Sequence, residues 1–233
     1  MLVVILVIVA AAVIVLNRGT ISSLIPGPAP AGNSLLISSP ADVAEARGLI
    51  DRLRVEDRPA SLGDYRRAAF GDAWTDTDGN GCNQRDDVLW RDVVKTAPYT
   101  AARQRECDHD MVAGTWVDPY TGDATTLTDA KQQDQAESVQ IDHIVPLSVA
   151  WRYGAKAWSD AERLQFANDL RNLAAVGGAA NQAKGGSDAS AWRPIRAAEC
   201  GYAVRYIVVK SAYALPTDPS EKRALAEMLT TCP

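Results

Sequence analysis

The sequence is poor in the residue types that usually form basic surfaces and metal centres. Only two of its 233 residues are histidine, and its 24 Lys and Arg are outnumbered by 29 Asp and Glu, which gives a net charge of −5. A high-affinity, non-specific nucleic-acid binder usually carries a basic excess, so this class is disfavoured. An enzyme that meets phosphates only locally remains compatible with the composition.

Cysteine is also scarce, and its spacing disfavours a zinc site. The four cysteines form no C-x-x-C pair. Four cysteines allow three pairings, and bonds between neighbours in sequence are the simplest. We therefore expect disulfides that join Cys82 to Cys107 and Cys200 to Cys232. Four buried thiols in a cytosolic protein are the alternative, which the apolar N-terminus makes the weaker interpretation.

The long apolar run of the chain lies at its N-terminus. Residues 2–16 are all apolar. The run is slightly short for a membrane span of about 20 residues, but it suits a signal peptide or a short signal anchor. We expect residues 1–18 to direct export, whether cleaved or kept as a membrane tether. Residues 19–38 then form a linker, and the protein is extracellular or held at the cell surface.

The rest of the chain, residues 39–233, has the composition of a single folded domain. Hydrophobic residues make up 47% of the sequence, which is enough to bury a core. Residues 108–146 contain turns and β-prone stretches, and Ser159 with Glu162 forms a capping box. Further signals for helix starts lie near both ends of the domain, at Ser39–Pro40, Pro194 and Asp218–Pro219.

Five polar residues in the second half of the chain follow a suggestive order. Asp142 and His143 lie together in the apolar run VQIDHIVPLSVAW. Asn172 begins the strand-like segment NLAAV, and Asn181 and Lys184 lie in the helix-like segment after it. Singly, each has an ordinary explanation, because Asp–His couples and Asn-x-x-Lys spacings are common. Jointly, in these contexts, they indicate a catalytic site.

This order resembles that of the HNH nucleases, in which a β-hairpin and a helix hold one divalent cation. The wider chain resembles exported bacterial HNH endonucleases related to the C-terminal nuclease domain of GmrSD-type restriction enzymes. The resemblance implies an α+β fold with a ββα-metal (HNH) nuclease core at about 138–190, added helices, and mostly helical N- and C-terminal parts. The segments that carry it are FGDAWTDTDGNGC, DPYTG, IDHIVPL, FANDLRNLAAV and NQAKGGSDASAW.

The resemblance also implies a role for each polar residue. His143 is expected to be the general base, which suits an imidazole with an ordinary pKa near 6.5. Asp142 and Asn181 are expected to bind the metal. Asn172 would hold the hairpin in place, and Lys184 would contact phosphate. Because many HNH enzymes have histidine where this chain has Asn181, the oxygen-only ligands favour one Mg²⁺ or Mn²⁺ ion over Zn²⁺.

Adjacent catalytic residues on a strand pose a geometric problem. Consecutive strand residues point to opposite sides, so a flat strand could not aim Asp142 and His143 at one phosphate. We therefore expect the hairpin to bend or twist there. Pro146 cannot continue a sheet ladder, which indicates that the strand ends close to it.

A second group of oxygen ligands lies in the segment DTDGNGCNQRDD. Asp76, Asp78, Asn80 and Asp87 match positions 1, 3, 5 and 12 of a calcium-binding loop. The last of these is Asp where Glu is usual, and Asn83 stands where an apolar residue is usual. A structural Ca²⁺ and a tight turn at a helix N-terminus explain the pattern equally well.

Two functions compete on this evidence. The first is an exported, monomeric, metal-dependent endonuclease that acts on DNA, or also on RNA, without a small-molecule cofactor. The second is a non-catalytic, disulfide-stapled and calcium-stabilised cell-surface binding module on a decayed nuclease fold. The set Asp142, His143, Asn172 and Asn181 favours the nuclease, because a binding module does not need all four.

Overall fold

A computed structural model describes residues 38–59 and 61–233 of the protein. The predicted signal or anchor segment, and nearly all of the predicted linker, lie outside these residues. None of the helices in the described ranges is both long enough and apolar enough to cross a membrane.

The described residues contain α-helices together with two small antiparallel sheets, which confirms the predicted α+β class. The helices are α1 Pro40–Arg52, α2 Gln84–Asp92, α3 Gln133–Ser138, α4 Leu147–Arg152, α5 Asp160–Ala167, α6 Gly178–Lys184, α7 Glu199–Ala212 and α8 Pro219–Leu229. The strands are β1 Thr100–Gln104, β2 Cys107–Val117, β3 Ala124–Leu127, β4 Val139–His143 and β5 Leu173–Gly177. Short 3₁₀ turns cover Arg67–Phe70, Ala155–Ala157 and Arg196–Ala198.

The sheets divide the chain into a hairpin-rich part and a ββα part. Strands β1, β2 and β3 form one antiparallel sheet in that order, and β4 pairs with β5 in the second. Helix α6 follows β5 directly, so β4, β5 and α6 supply the ββα core that the sequence predicts. A helical insertion, α4 and α5, takes the place of a tight turn between the two strands.

Helix boundaries follow the capping signals with one exception. The Ser159 hydroxyl accepts from the Glu162 N–H at the start of α5, and Asp218 caps α8. The prediction that Pro194 opens a helix is wrong, since α7 begins at Glu199. The Ile195 N–H donates to the Tyr120 carbonyl at 3.0 Å, which holds this segment extended.

Two hydrophobic clusters pack against the two faces of the β4–β5 pair. Val139 and Ile141 on β4 join one cluster, together with residues of α2 and β2. Ala174 and Val176 on β5 join the other, which includes most of the buried residues of α1, α7 and α8. The strand pair is therefore buried on both sides, and polar side chains on it need partners inside the protein.

Candidate active site

The candidate site lies at the end of strand β4. Asp142 pairs with Ala174 and His143 pairs with Leu173, with no shift in register along the strand pair. The pairing is thus regular through His143, so the expected bend does not appear in the pairing, and the two side chains contact separate groups. These separate sets of partners determine what each side chain can do.

His143 is buried and is held by a single backbone acceptor. Its Nε2 lies 2.8 Å from the carbonyl oxygen of Ala167. Because a carbonyl can only accept, Nε2 carries the proton and Nδ1 carries the lone pair. Burial lowers the pKa of His143 to about 4, against the smaller opposing effects of the Ala167 hydrogen bond and of Asp142. The imidazole is therefore a neutral base at neutral pH.

A small cavity of about 30 Å³ lies against His143. Its polar lining includes Arg67, Asp72 and Asn168, and Trp74 forms part of its wall. Trp74 has a φ of 62°, a conformation that is uncommon for a non-glycine residue and that occurs preferentially at functional sites.

Sequence reasoning missed these cavity residues. The segments FGDAW and FAND contributed only to the family resemblance, and no residue in them was given a role. A tryptophan between small and polar residues was the available signal. Only the fold shows that it lies beside His143.

Asp142 lies in a buried polar cluster. Its Oδ2 accepts from the Tyr120 hydroxyl at 2.6 Å and lies 2.8 Å from Lys184 Nζ. Burial and the neighbouring carboxylate raise the pKa of Tyr120, so its hydroxyl keeps the proton that it donates. The structure thus brings Asp142 together with Tyr120 and Lys184.

Lys184 is almost completely buried, with 1% of its surface exposed. Besides Asp142, its ammonium donates to the backbone carbonyl of His143 at 2.8 Å. Burial lowers the pKa of Lys184, and Asp142 opposes this decrease. Lys184, expected to contact phosphate, thus lies inside the protein as the partner of Asp142.

Asn181 lies one helical turn before Lys184 and contacts the same face of β4. Its Nδ2 donates to Gln140 Oε1 at 2.7 Å. This hydrogen bond does not use the amide oxygen of Asn181. Gln140 and Asp142 are two residues apart, on one side of the strand. Carboxylate and amide oxygens are donors that fit a hard divalent cation such as Mg²⁺, while the nearby Lys184 ammonium competes with a cation for Asp142.

Asn172 ties the segment after His143 to the start of β5. Its Oδ1 accepts from the Val145 N–H at 2.8 Å, and its Nδ2 donates to the Val145 carbonyl at 3.2 Å. Its backbone carbonyl accepts from the Ile144 N–H at 2.8 Å. The fully buried Asn172 therefore clamps the two residues that follow His143.

The predicted calcium loop is bonded internally through its own polar groups. Asp76 accepts from the N–H groups of Gly79 and Gly81 at 2.7 and 2.9 Å. Asp87 accepts from the Asn80 amide at 3.0 Å and pairs with His109 at 2.7 Å. These contacts are those of a closed turn, and the calcium site stays a prediction.

Both predicted disulfides are confirmed. Cys82 is bonded to Cys107, and Cys200 is bonded to Cys232. Across residues 38–59 and 61–233, the group of His, Cys, Asp or Glu side chains close enough to share a metal is Cys82, Cys107 and His109. Since its sulfurs are bonded to each other, that group offers no thiolate ligand.

Comparison with known proteins places the chain in a family. Residues 83–228 match the family described as GmrSD restriction endonucleases, C-terminal domain. An uncharacterized secreted protein of Arthroderma benhamiae (strain ATCC MYA-4681 / CBS 112371) is 36% identical over 210 residues, which cover 89% of this chain and 92% of that protein. No solved structure matches the chain significantly. The chain therefore belongs to the family of the C-terminal domain of GmrSD restriction endonucleases.

Proposed function

We propose that this protein is an extracellular, metal-dependent HNH endonuclease that hydrolyses phosphodiester bonds of DNA. Membership of a restriction-endonuclease domain family supports the reaction class. The observation that carries the proposal is the state of His143, a neutral imidazole whose Nε2–H is fixed by the Ala167 carbonyl. A neutral imidazole can take a proton from an attacking water, and a pKa of about 4 makes it a weaker base than an ordinary histidine.

His143 Nδ1 is the proposed general base. It removes a proton from the water that attacks phosphorus, and the Ala167 carbonyl stabilises the imidazolium that results. Arg67 lies on the lining of the same cavity, with an exposed side chain. We assign to Arg67 the contact with the substrate phosphate that the sequence suggested for Lys184, since guanidinium binds phosphate oxygens well.

Asp142 and Asn181 are the proposed ligands of one Mg²⁺ or Mn²⁺ ion, through oxygen atoms alone. Asp142 and His143 are the last two residues of β4, so both lie at the edge of the strand pair. An ion bound there would stabilise negative charge on phosphate oxygens and on the leaving oxygen. Lys184 and Tyr120 then act as positioning residues, because each holds Asp142 Oδ2. Asn172 positions the chain after His143 by its hydrogen bonds to Val145.

An extracellular location is supported by two observations. Disulfides persist in oxidising compartments, and this chain has two. The Arthroderma benhamiae relative is described as secreted. We propose a monomer with a nucleic-acid substrate and no small-molecule cofactor. Its apolar N-terminal residues direct export, either as a cleaved signal peptide or as a membrane tether.

One observation favours the alternative of a non-catalytic binding module. The buried Lys184 ammonium already neutralises Asp142, as it would in a nuclease fold that had lost its metal. The two functions differ in their dependence on added metal. The nuclease needs a metal ion to cleave its substrate, whereas a binding module catalyses no reaction.

The test is cleavage of supercoiled plasmid by the purified protein with Mg²⁺ or Mn²⁺, with and without EDTA. We expect nicking that EDTA abolishes. Asn181→Ala should raise the Mg²⁺ concentration for half-maximal rate at least about tenfold, while Gln182→Ala, an exposed neighbour on α6, should not. Absence of metal-dependent cleavage of plasmid, single-stranded DNA and RNA would favour the binding module.

A further inference from the structure

Asn168 has an unusual position beside the proposed base. It follows the last residue of α5, and 2% of its surface is exposed. Its Nδ2 donates to the carbonyl of Leu164 at 3.0 Å. Since only the nitrogen of an amide can donate to a carbonyl, this bond fixes which end of the side chain is oxygen.

The other end of the Asn168 amide lacks a partner within the protein. Among residues 38–59 and 61–233, no group donates a hydrogen bond to the buried Oδ1 atom. Buried amide oxygens are nearly always hydrogen-bonded, because an unmade bond costs free energy. Asn168 is one of the residues that line the small cavity beside His143, so its unpaired acceptor points to a donor that binds there.

The cavity has the size and polarity to hold that donor. Its volume is about 30 Å³, and a water molecule needs a space of roughly 10–15 Å³ on such a measure. Both His143 and Asn168 line it. His143 contributes a lone pair at Nδ1, because its Nε2–H is used by the Ala167 carbonyl. A water has two hydrogens, so one water between these acceptors would donate to each and keep its own lone pairs free.

We propose that Asn168 is a positioning residue that holds the nucleophilic water against His143. The proposal rests on the proposed function and assigns its attacking water to a site. One water proton goes to His143 Nδ1, and the other stays hydrogen-bonded to Asn168 Oδ1. The water oxygen bonds to phosphorus, the bond from phosphorus to the leaving oxygen breaks, and that oxygen takes a proton from solvent.

A structural role for Asn168 predicts a different response to substitution. If Asn168 only caps α5, it acts through the hydrogen bond from its Nδ2 to the Leu164 carbonyl, and its amide oxygen has no role. Asn168→Asp removes that donor and keeps an acceptor oxygen, whereas Asn168→Ala removes both. The two variants therefore separate the roles.

The kinetic test compares single-turnover cleavage, KM and thermal stability in both variants. We expect Asn168→Ala to lower the rate constant about 10–100-fold with KM changed less than about threefold, because a misplaced nucleophile slows the chemical step. Asn168→Asp should recover a large part of this loss although it lacks the bond to Leu164. An Asp variant as slow as the Ala variant, or an Ala variant with a wild-type rate, would overturn the proposal.

A second readout does not depend on nuclease activity. A high-resolution crystal structure of the wild-type protein should show an ordered water within hydrogen-bond distance of both Asn168 Oδ1 and His143 Nδ1. Its absence would overturn the water site, even in an active enzyme. If the protein cleaves no nucleic acid, the proposed function fails. The electron density of the crystal structure then decides by itself whether the site binds water.

Discussion

The chain contains the dipeptide Asp–His twice, and the two copies have opposite surroundings. In Asp108–His109 on β2, the ring nitrogens pair with Asp108 at 2.6 Å and with Asp87 at 2.7 Å. In Asp142–His143 on β4, the aspartate bonds to Tyr120 and Lys184, and the histidine to a backbone carbonyl. One histidine is flanked by two carboxylates, while the other has a neutral partner.

These partners and burial shift the pKa values of the two imidazoles in opposite directions. Burial alone would lower the pKa of His109, but its hydrogen bonds to Asp87 and Asp108 outweigh this effect and raise it. Burial dominates at His143 and lowers the pKa to about 4. A raised pKa favours the protonated imidazole, which cannot accept a proton, whereas a lowered pKa favours the neutral form, which can. The partners of each imidazole, rather than the Asp–His pair itself, therefore decide which histidine can act as a base.

The largest effect on stability is expected when Lys184 is replaced, because its ammonium forms a buried ion pair with Asp142. Lys184→Ala should lower the free energy of unfolding by about 3–5 kcal/mol, because it leaves a buried carboxylate without its partner. The matched control is Lys156→Ala, which breaks the exposed pair with Asp64 and should cost about 1 kcal/mol or less. Urea denaturation measures both, and equal losses would contradict a buried, structural role for Lys184.

The disulfide next to His109 is expected to act on stability without acting on catalysis. Replacing both Cys82 and Cys107 with Ser should lower the free energy of unfolding by roughly 3 kcal/mol, as expected for a closed loop of 25 residues. The single-turnover rate of the folded fraction should change less than about threefold. A much larger loss of rate would mean that the His109 region takes part in the reaction.

The pH dependence of stability should reveal His143 directly. Its native pKa of about 4 lies below the value of about 6.5 in an unfolded chain. The stabilisation is therefore complete above pH 6.5 and is lost as the pH falls toward 4, by about 3 kcal/mol at most. Urea denaturation of wild type and His143→Gln from pH 7 to 4 should show this loss in the wild type alone. Parallel curves would contradict a buried neutral imidazole.

His109 should give a smaller effect of the opposite sign. Because its native pKa is raised, its stabilisation is complete below about pH 6.5 and is lost as the pH rises through the native value. His109→Gln should therefore destabilise the protein more at pH 6 than at pH 9, and the difference should be small because one partner carboxylate is exposed. A variant that is equally destabilised at both pH values would show that packing on Trp90, rather than charge, keeps His109 in place.

The sequence predicted the elements of the site better than their contacts. Helix caps such as Ser159 and the strand at Leu173 follow from local patterns, and the α+β class follows from the family resemblance. The partners of Lys184 and the cavity at His143 depend on residues far apart in the chain, so local spacing could not show them. Nor could an Asp–His dipeptide show that its two side chains contact separate groups from a regular strand pair.

The central claim is that His143, and not His109, is the general base. Its most direct test is single-turnover cleavage of plasmid DNA with saturating Mg²⁺ by wild type, His143→Ala and His109→Ala. We expect His143→Ala to lower the rate constant about 10²–10⁴-fold with little change in DNA affinity, as removal of a positioned base does. His109→Ala should stay within about threefold of wild type. Wild-type cleavage by His143→Ala, or equal losses in both variants, would contradict the claim.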